Sequence, residues 1–284
     1  MAAGSDETGG AWQGGAFGER GRCVLAPNAN AMTLDGTNTW VLREPGAARS
    51  VVVDPGPPDQ GHLAAVLAAA GGAGSVGAVL LTHHHLDHSE AAREFAESAG
   101  CGVRALDPAY RLGDEGLHDG DVVDVDGLEI HVVGTPGHTA DSLSFHLPAA
   151  RAVLTGDTVL GRGTTVVAHP DGQLGAYLDS LGRLHDLASE HGITDVWPGH
   201  GPVIGDALGA IEHYQAHRRD RLEQVREALR TLRASDDPAD DVAALEREDR
   251  LARRVVEVVY TDVDQSLWGA AELSVRAQLA YLQA

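Results

Sequence analysis

Leu80-Leu81-Thr82-His83-His84-His85-Leu86-Asp87-His88-Ser89 ends an apolar run with three imidazoles, His83, His85 and His88, and the carboxylate of Asp87 within six residues. Neutral imidazole nitrogens and a carboxylate oxygen are the donors that a borderline-soft divalent cation such as zinc takes, at ~2.0–2.2 Å. The H-x-H-x-D-H spacing offers alternate side chains to two neighbouring metal positions. A tag-like histidine cluster is the bland alternative, but such clusters lie at termini and lack a buried strand in front of them. His84, between two ligand candidates, is expected to point the other way.

Working outward, Val76 to Leu81 reads as the strand that delivers His83 to a loop, and Ser89 reads as the cap of the next helix. The same device recurs downstream. Leu128 to Val133 alternates as a half-exposed strand and breaks at Gly134-Thr135-Pro136-Gly137-His138; Ala152 to Thr155 ends in Gly156-Asp157; Asp195-Val196-Trp197 is followed by Pro198-Gly199-His200-Gly201-Pro202. One His or Asp after a strand is usually a turn residue. Five His and two Asp at strand ends are enough to fill two metal sites and leave a position open for water. Upstream, Ser50-Val51-Val52-Val53-Asp54 is a buried strand whose final Asp54 reads either as a turn cap or as a hydrogen-bond partner beneath the ligands. No G-x-S-x-G elbow, P-loop, G-x-G-x-x-G after a strand or H-E-x-x-H helix offers competing chemistry.

The chain has 284 residues, 43% of them hydrophobic, enough for one large domain with a small appendage. No apolar run approaches a membrane span and no leader precedes the core, so the expectation is a cytoplasmic protein with no membrane partner. Cys23 and Cys101 form no C-x-x-C pair and read as small buried apolar residues. The formal charge is −21, and the 21 basic residues are all arginines, which opposes non-specific attraction to nucleic acid. Residues 1–21, rich in Gly, Ser and acids, read as a flexible arm; 22–210 as the catalytic domain; 211–284 as a C-terminal helical module.

The ordered set His83-x-His85-x-Asp87-His88, His138, Asp157 and His200 resembles the metallo-β-lactamase superfamily. The segments Met32 to Thr39, Thr135-Pro136-Gly137-His138-Thr139, Gly161 to Val166 and Pro198 to Ile204 are similar to its β-lactamase-like protein 2 group, although glyoxalase II and related hydrolases share the metal motifs. The resemblance runs from about residue 23 to the end. It implies an α/β (α+β) fold, a four-layer αβ/βα sandwich of two mixed sheets with helices outside and the site on one edge. It implies that His83, His85 and His138 hold one metal, that Asp87, His88 and His200 hold a second, and that Asp157 bridges them.

It also implies a binuclear zinc hydrolase, with manganese or iron as alternative ions. The expected nucleophile is a metal-bridging hydroxide oriented by Asp87 and Asp157, the two candidate catalytic residues. Gly36-Thr37-Asn38-Thr39 and Gly163-Thr164-Thr165 would line the mouth or simply serve as turns, with Arg162 as the nearest cation. After one helix over 211–233, an acidic break and helices over 251–260 and 265–282 are similar to the winged-helix-like module of the group, truncated at Ala284 before the basic β-wing.

Three readings of function follow. A small ester or thioester substrate comes first. Single-stranded RNA, which members of the group cleave, is favoured by Arg218, Arg219, Arg221, Arg226, Arg230 and Arg233, but acids are interleaved with them and the overall charge opposes it. A non-catalytic metal-containing binding protein is the third, against which the complete ligand set argues. The apolar stripes of the terminal helices would suit a homodimer as well as a core.

Overall fold

The valine-rich runs become strands because β-branched side chains fit a pleated, buried surface. The computed structural model describes residues 11–261 and 263–283. In one sheet, β1 (Gly15–Phe17), β2 (Gly21–Leu25), β3 (Asn38–Leu42), β4 (Ser50–Val53), β5 (Val76–Leu80) and β6 (Val103–Arg104) lie in that order. Helices α1 (Gln60–Ala69), α2 (Leu86–Ser89) and α3 (Ala92–Ala99) interrupt its second half. The other sheet is ordered β11-β10-β9-β8-β7, from β7 (Val122–Val125), β8 (Leu128–Gly134), β9 (Leu143–Leu147), β10 (Ala152–Gly156) and β11 (Asp195–Pro198). Between its last two strands runs α4 (Leu174–His191).

Strand alternation builds the layers. Trp40, Leu42, Val51, Val53, Ala78 and Leu80 face Ile130, Phe145, Leu154 and Trp197 across the inter-sheet core. Their neighbours Val41, Val52 and Val79 turn outward onto α1 and α3, while Val153 and Val196 turn onto α4. This is the αβ/βα four-layer sandwich. Trp40 and Trp197 stack at 4.8 Å with 13° between their planes, joining the sheets at one point of the core.

β4 pairs parallel with β5, and β10 parallel with β11, while β8 and β10 are both antiparallel to β9. The strands of each set therefore end on a common edge, and the backbone bond from Leu143 N–H to the Thr82 carbonyl ties the two edges together at 2.8 Å. Every His or Asp singled out above follows one of these ends.

The arm expected over 1–21 is corrected in part. Residues 1–10 lie outside the described residues, but Gly15–Phe17 pairs antiparallel with β2. Phe17 packs edge-on against Trp40 at 5.5 Å, and Trp12 lies 5.6 Å from Phe17. Three aromatic rings sharing one apolar patch outweigh the glycine-rich composition around them.

The boundary expected at residue 211 falls inside α5 (Ala207–Ala234), a single helix that packs its first half on α4 and its second on the terminal helices. α7 (Leu251–Val259) and α8 (Trp268–Gln283) match the two helices expected there, and α6 (Val242–Arg247), capped by Asp241, precedes them. No helix among the described residues is long and apolar enough to cross a membrane.

Candidate metal centre

Asp54 occupies a left-handed backbone conformation, φ 51°, which folds its side chain back over the end of β5. There Oδ1 accepts the Thr82 N–H at 2.8 Å and Oδ2 accepts the Thr82 hydroxyl at 2.7 Å. The same Oδ2 lies 2.9 Å from His88 Nδ1. Because the Thr82 proton goes to Asp54, its oxygen accepts from His83 Nδ1, 3.0 Å away. One carboxylate thereby sets the tautomers of two histidines and turns their Nε2 lone pairs inward. His138 Nδ1 donates to the Val166 carbonyl at 2.7 Å, and His200 Nδ1 to the Gly36 carbonyl at 3.2 Å, with the same result.

The free nitrogens converge. His85 Nδ1 lies 3.1 Å from His83 Nε2 and 3.0 Å from His138 Nε2. In a second group, His200 Nε2 lies 3.2 Å from His88 Nε2 and 3.1 Å from Asp87 Oδ2. Asp157 stands between the groups, with Oδ1 3.4 Å from His88 Nε2 and Oδ2 3.4 Å from His200 and 3.7 Å from His138. A tetrahedral ion ~2.0–2.1 Å from its donors spaces them roughly 3.3–3.4 Å apart, so these separations fit one cation per group. Asp157 Oδ1 is also buried with no hydrogen-bond partner among the described residues. A buried carboxylate oxygen left in that state is what a cation relieves.

The electrostatics agree. Burial and the neighbouring rings push His83 well down, and burial with His138 and His88 holds His85 down to about 4. For His88 and His200 burial acts the same way, but Asp157, Asp87 and, at His88, Asp54 override it; His88 rises well above the usual range and His200 rises to about 9. Burial would raise Asp157, yet His200 and His88 hold it far below the carboxylate range. Asp87 and Asp157, both held below the carboxylate range, are the charged donors a dication would take, and the neutral imidazoles of His83 and His85 would serve as its nitrogen ligands.

All seven sequence candidates are thus brought together: His83, His85 and His138; Asp87, His88 and His200; and Asp157 beside both. His84 does turn away, to Asp141 Oδ1 at 2.8 Å. Asp54 takes the role beneath the ligands. Other expectations are corrected. The Ser89 hydroxyl donates to the His84 carbonyl instead of capping α3. Arg162 is paired with Asp35 at 2.5 Å, and Arg218 is buried, donating to the Thr165 carbonyl.

Of the two segments expected at the mouth, Thr37, Asn38 and Thr39 are buried, whereas Gly163, Thr164 and Thr165 line the opening. Asn38 instead staples the His200 loop: its Nδ2 donates to the Pro198 and Gly201 carbonyls at 2.9 and 2.8 Å. Another part of the lining comes from the C-terminal module: Tyr260 just after α7, Leu267 just before α8 and Ala271 on α8. Nothing in their spacing announced it, because only the docking of α8 beside α4 and α5 carries them there.

A family model described as "Metallo-beta-lactamase superfamily" matches residues 32–243, around this cluster. The chain belongs to the metallo-β-lactamase superfamily. A second model, "Beta-lactamase associated winged helix domain", matches residues 252–284 and so covers α7 and α8. This superfamily member is 33% identical over 224 residues to a beta-lactamase-like protein 2 homolog of Caenorhabditis elegans, covering 73% of this chain and 70% of that one. It is 35% identical over 218 residues to an atrochrysone carboxyl ACP thioesterase of Aspergillus chevalieri, 74% of this chain and 66% of the relative. The crystal structure of a metallo-beta-lactamase family protein from Thermus thermophilus superposes over 92% of each chain at a TM-score of 0.71 and 23% identity, a likeness of fold. The protein is accordingly a hydrolase of the metallo-β-lactamase superfamily.

Proposed function

We propose that the chain is a binuclear, zinc-loaded hydrolase of small esters or thioesters, working in the cytoplasm. The observation that carries the substrate class is a cavity of about 300 Å³ that opens beside His138 and Asp157 and is lined by Met32, Leu34, Leu160, Val166, Tyr260 and Leu267. A partly open, largely apolar hollow of this size suits an acyl group and not a stacked polymer of nucleotides. The thioesterase among the relatives supports the same class.

His83, His85 and His138 would hold one ion, and Asp87, His88 and His200 the other, with Asp157 shared. When bound, such a pair supplies a water activated at neutral pH and Lewis acidity toward a carbonyl oxygen. The chain does the rest. Asp87, whose side chain is more exposed than those of His88 and His200, would orient the attacking water. Asp157 Oδ1 and Oδ2 hold that water's orientation. The apolar wall positions the acyl group and excludes bulk water, which strengthens every electrostatic contact at the reacting carbon.

Single-stranded RNA is less well supported. Arg230 pairs with Glu227 and Glu223 at 2.9 and 3.3 Å, Arg226 with Glu223 at 3.3 Å, and Arg218 is buried, so half of the six α5 arginines read for RNA in the sequence are engaged. A chain of charge −21 then lacks the phosphate-neutralising surface on which such affinity rests.

The test sets a thioester panel beside labelled single-stranded RNA, with metal-loaded wild type and Asp87→Ala. Thioester turnover that falls by about a hundredfold or more in a folded variant is the expected result. Cleavage of RNA alone would overturn the substrate class, and undiminished turnover by the variant would overturn the role of Asp87.

A further inference from the structure

We infer that the substrate carries an anionic group, a carboxylate or a phosphate, which binds Arg218 and Arg221 of α5 in the cavity that His138 and Asp157 also line. This rests on the hydrolase reading for the identity of the ligand as substrate, but the binding site itself stands on its own geometry.

Three arginines line the cavity. Arg162 is already neutralised by Asp35. Neither of the others has a carboxylate partner among the described residues. Arg218 is only 5% exposed, lies over the Tyr177 ring at 4.8 Å, and donates one Nη2–H to the Thr165 carbonyl at 2.5 Å. Its Nε is buried without an acceptor among the described residues. A guanidinium taken out of water without a counter-charge is costly, and proteins rarely leave one so.

Arg221 sits almost one turn further along the helix. Its guanidinium rests on the Tyr260 ring at 4.6 Å and donates to Gln224 Oε1 at 2.9 Å. The stacking holds the fork in place before any ligand arrives, which reduces the entropy lost on binding. His217, the neighbour of Arg218, approaches Thr164 Oγ1 at 3.5 Å and adds a neutral polar group to the same wall. Two planar cations lining the same apolar hollow as His138 and Asp157 define a ligand that carries a negative charge as well as a scissile bond.

The probes are benzoate, phenyl phosphate and neutral benzamide, titrated calorimetrically into the metal-loaded protein, its Arg221→Gln and Arg218→Gln variants, and Arg230→Gln as a charge control on the outer face of α5. Arg221→Gln is expected to weaken at least one anion tenfold or more while benzamide and Arg230→Gln show no change; the anion that loses more identifies carboxylate or phosphate. Arg221 is half-exposed, so this variant remains informative if Arg218→Gln fails to fold. Equal anion binding by wild type and Arg221→Gln would overturn the inference, as would an absence of anion binding at millimolar concentration. Failure of every ester and thioester to turn over, with anion binding lost in Arg221→Gln, would overturn the hydrolase substrate class and leave the anion site standing.

Discussion

His88 Nδ1 lies 2.9 Å from Asp54 Oδ2, with both side chains buried, and the same carboxylate receives the backbone and hydroxyl protons of Thr82. Asp54 thus governs both halves of the cluster without facing the space between them. Asp54→Asn keeps a residue type that tolerates φ 51° but turns an N–H toward one of these donors. Metal affinity is expected to fall about ten- to hundredfold, read by chelator competition, while the fold persists.

Asn38 predicts a stability effect. Its amide bridges β3 to the Pro198 and Gly201 carbonyls and accepts the Trp12 indole N–H at 2.8 Å. Asn38→Ala leaves two buried carbonyls without those donors, so unfolding free energy is expected to drop by about 2–4 kcal/mol in urea denaturation. A loss below ~0.5 kcal/mol would show that water replaces the amide.

Gly199 predicts a loss of function caused by space alone. A Cβ there would stand 2.5 Å from Asp157 Oδ1 and 2.9 Å from His88 Cε1. Gly199→Ala is expected to displace these groups and reduce bound metal below wild-type stoichiometry in elemental analysis, with turnover reduced at least about tenfold. Normal metal content and turnover would mean that the loop moves aside.

His146 predicts part of the acid limb of stability. Buried on β9, with its ring 5.1 Å from His191 and 5.7 Å from His131, it is held by burial and by these two rings at about 4, against an ordinary 6.5. Between those values the unfolded chain binds more protons than the native one, so stability rises with pH there and is lost as pH falls from 6.5 toward 4. His146→Leu is expected to flatten the dependence in this window, measured by denaturation at a series of pH values. An unchanged slope would assign the acid limb to other groups.

Much of the candidate site was legible because its ligands follow strand ends, and a strand that stops at Gly or Pro is a local event. His83, His85, Asp87 and His88 share one loop, so their grouping required no knowledge of the fold. Arg218 shows the limit. On the sequence it belongs to a solvated basic helix face, and only the packing of α5 against Tyr177 removes it from water. Phe17 was misread for a related reason: its glycine-rich neighbourhood carries no periodicity, and its partners Trp40 and Trp197 are distant in the chain.

The sequence by itself determined the strand pattern, the candidate metal donors and the superfamily, since these depend on residue type and on spacing within single segments. Tertiary structure alone decided that Asp54 supports the histidines, that Asn38 secures the His200 loop, and that α7 and α8 close the cavity and leave Arg221 facing it. Each of these is a relation between segments far apart in the chain. Such relations are set by how sheets and helices bury their apolar faces together, and no local spacing encodes the direction a polar side chain then takes.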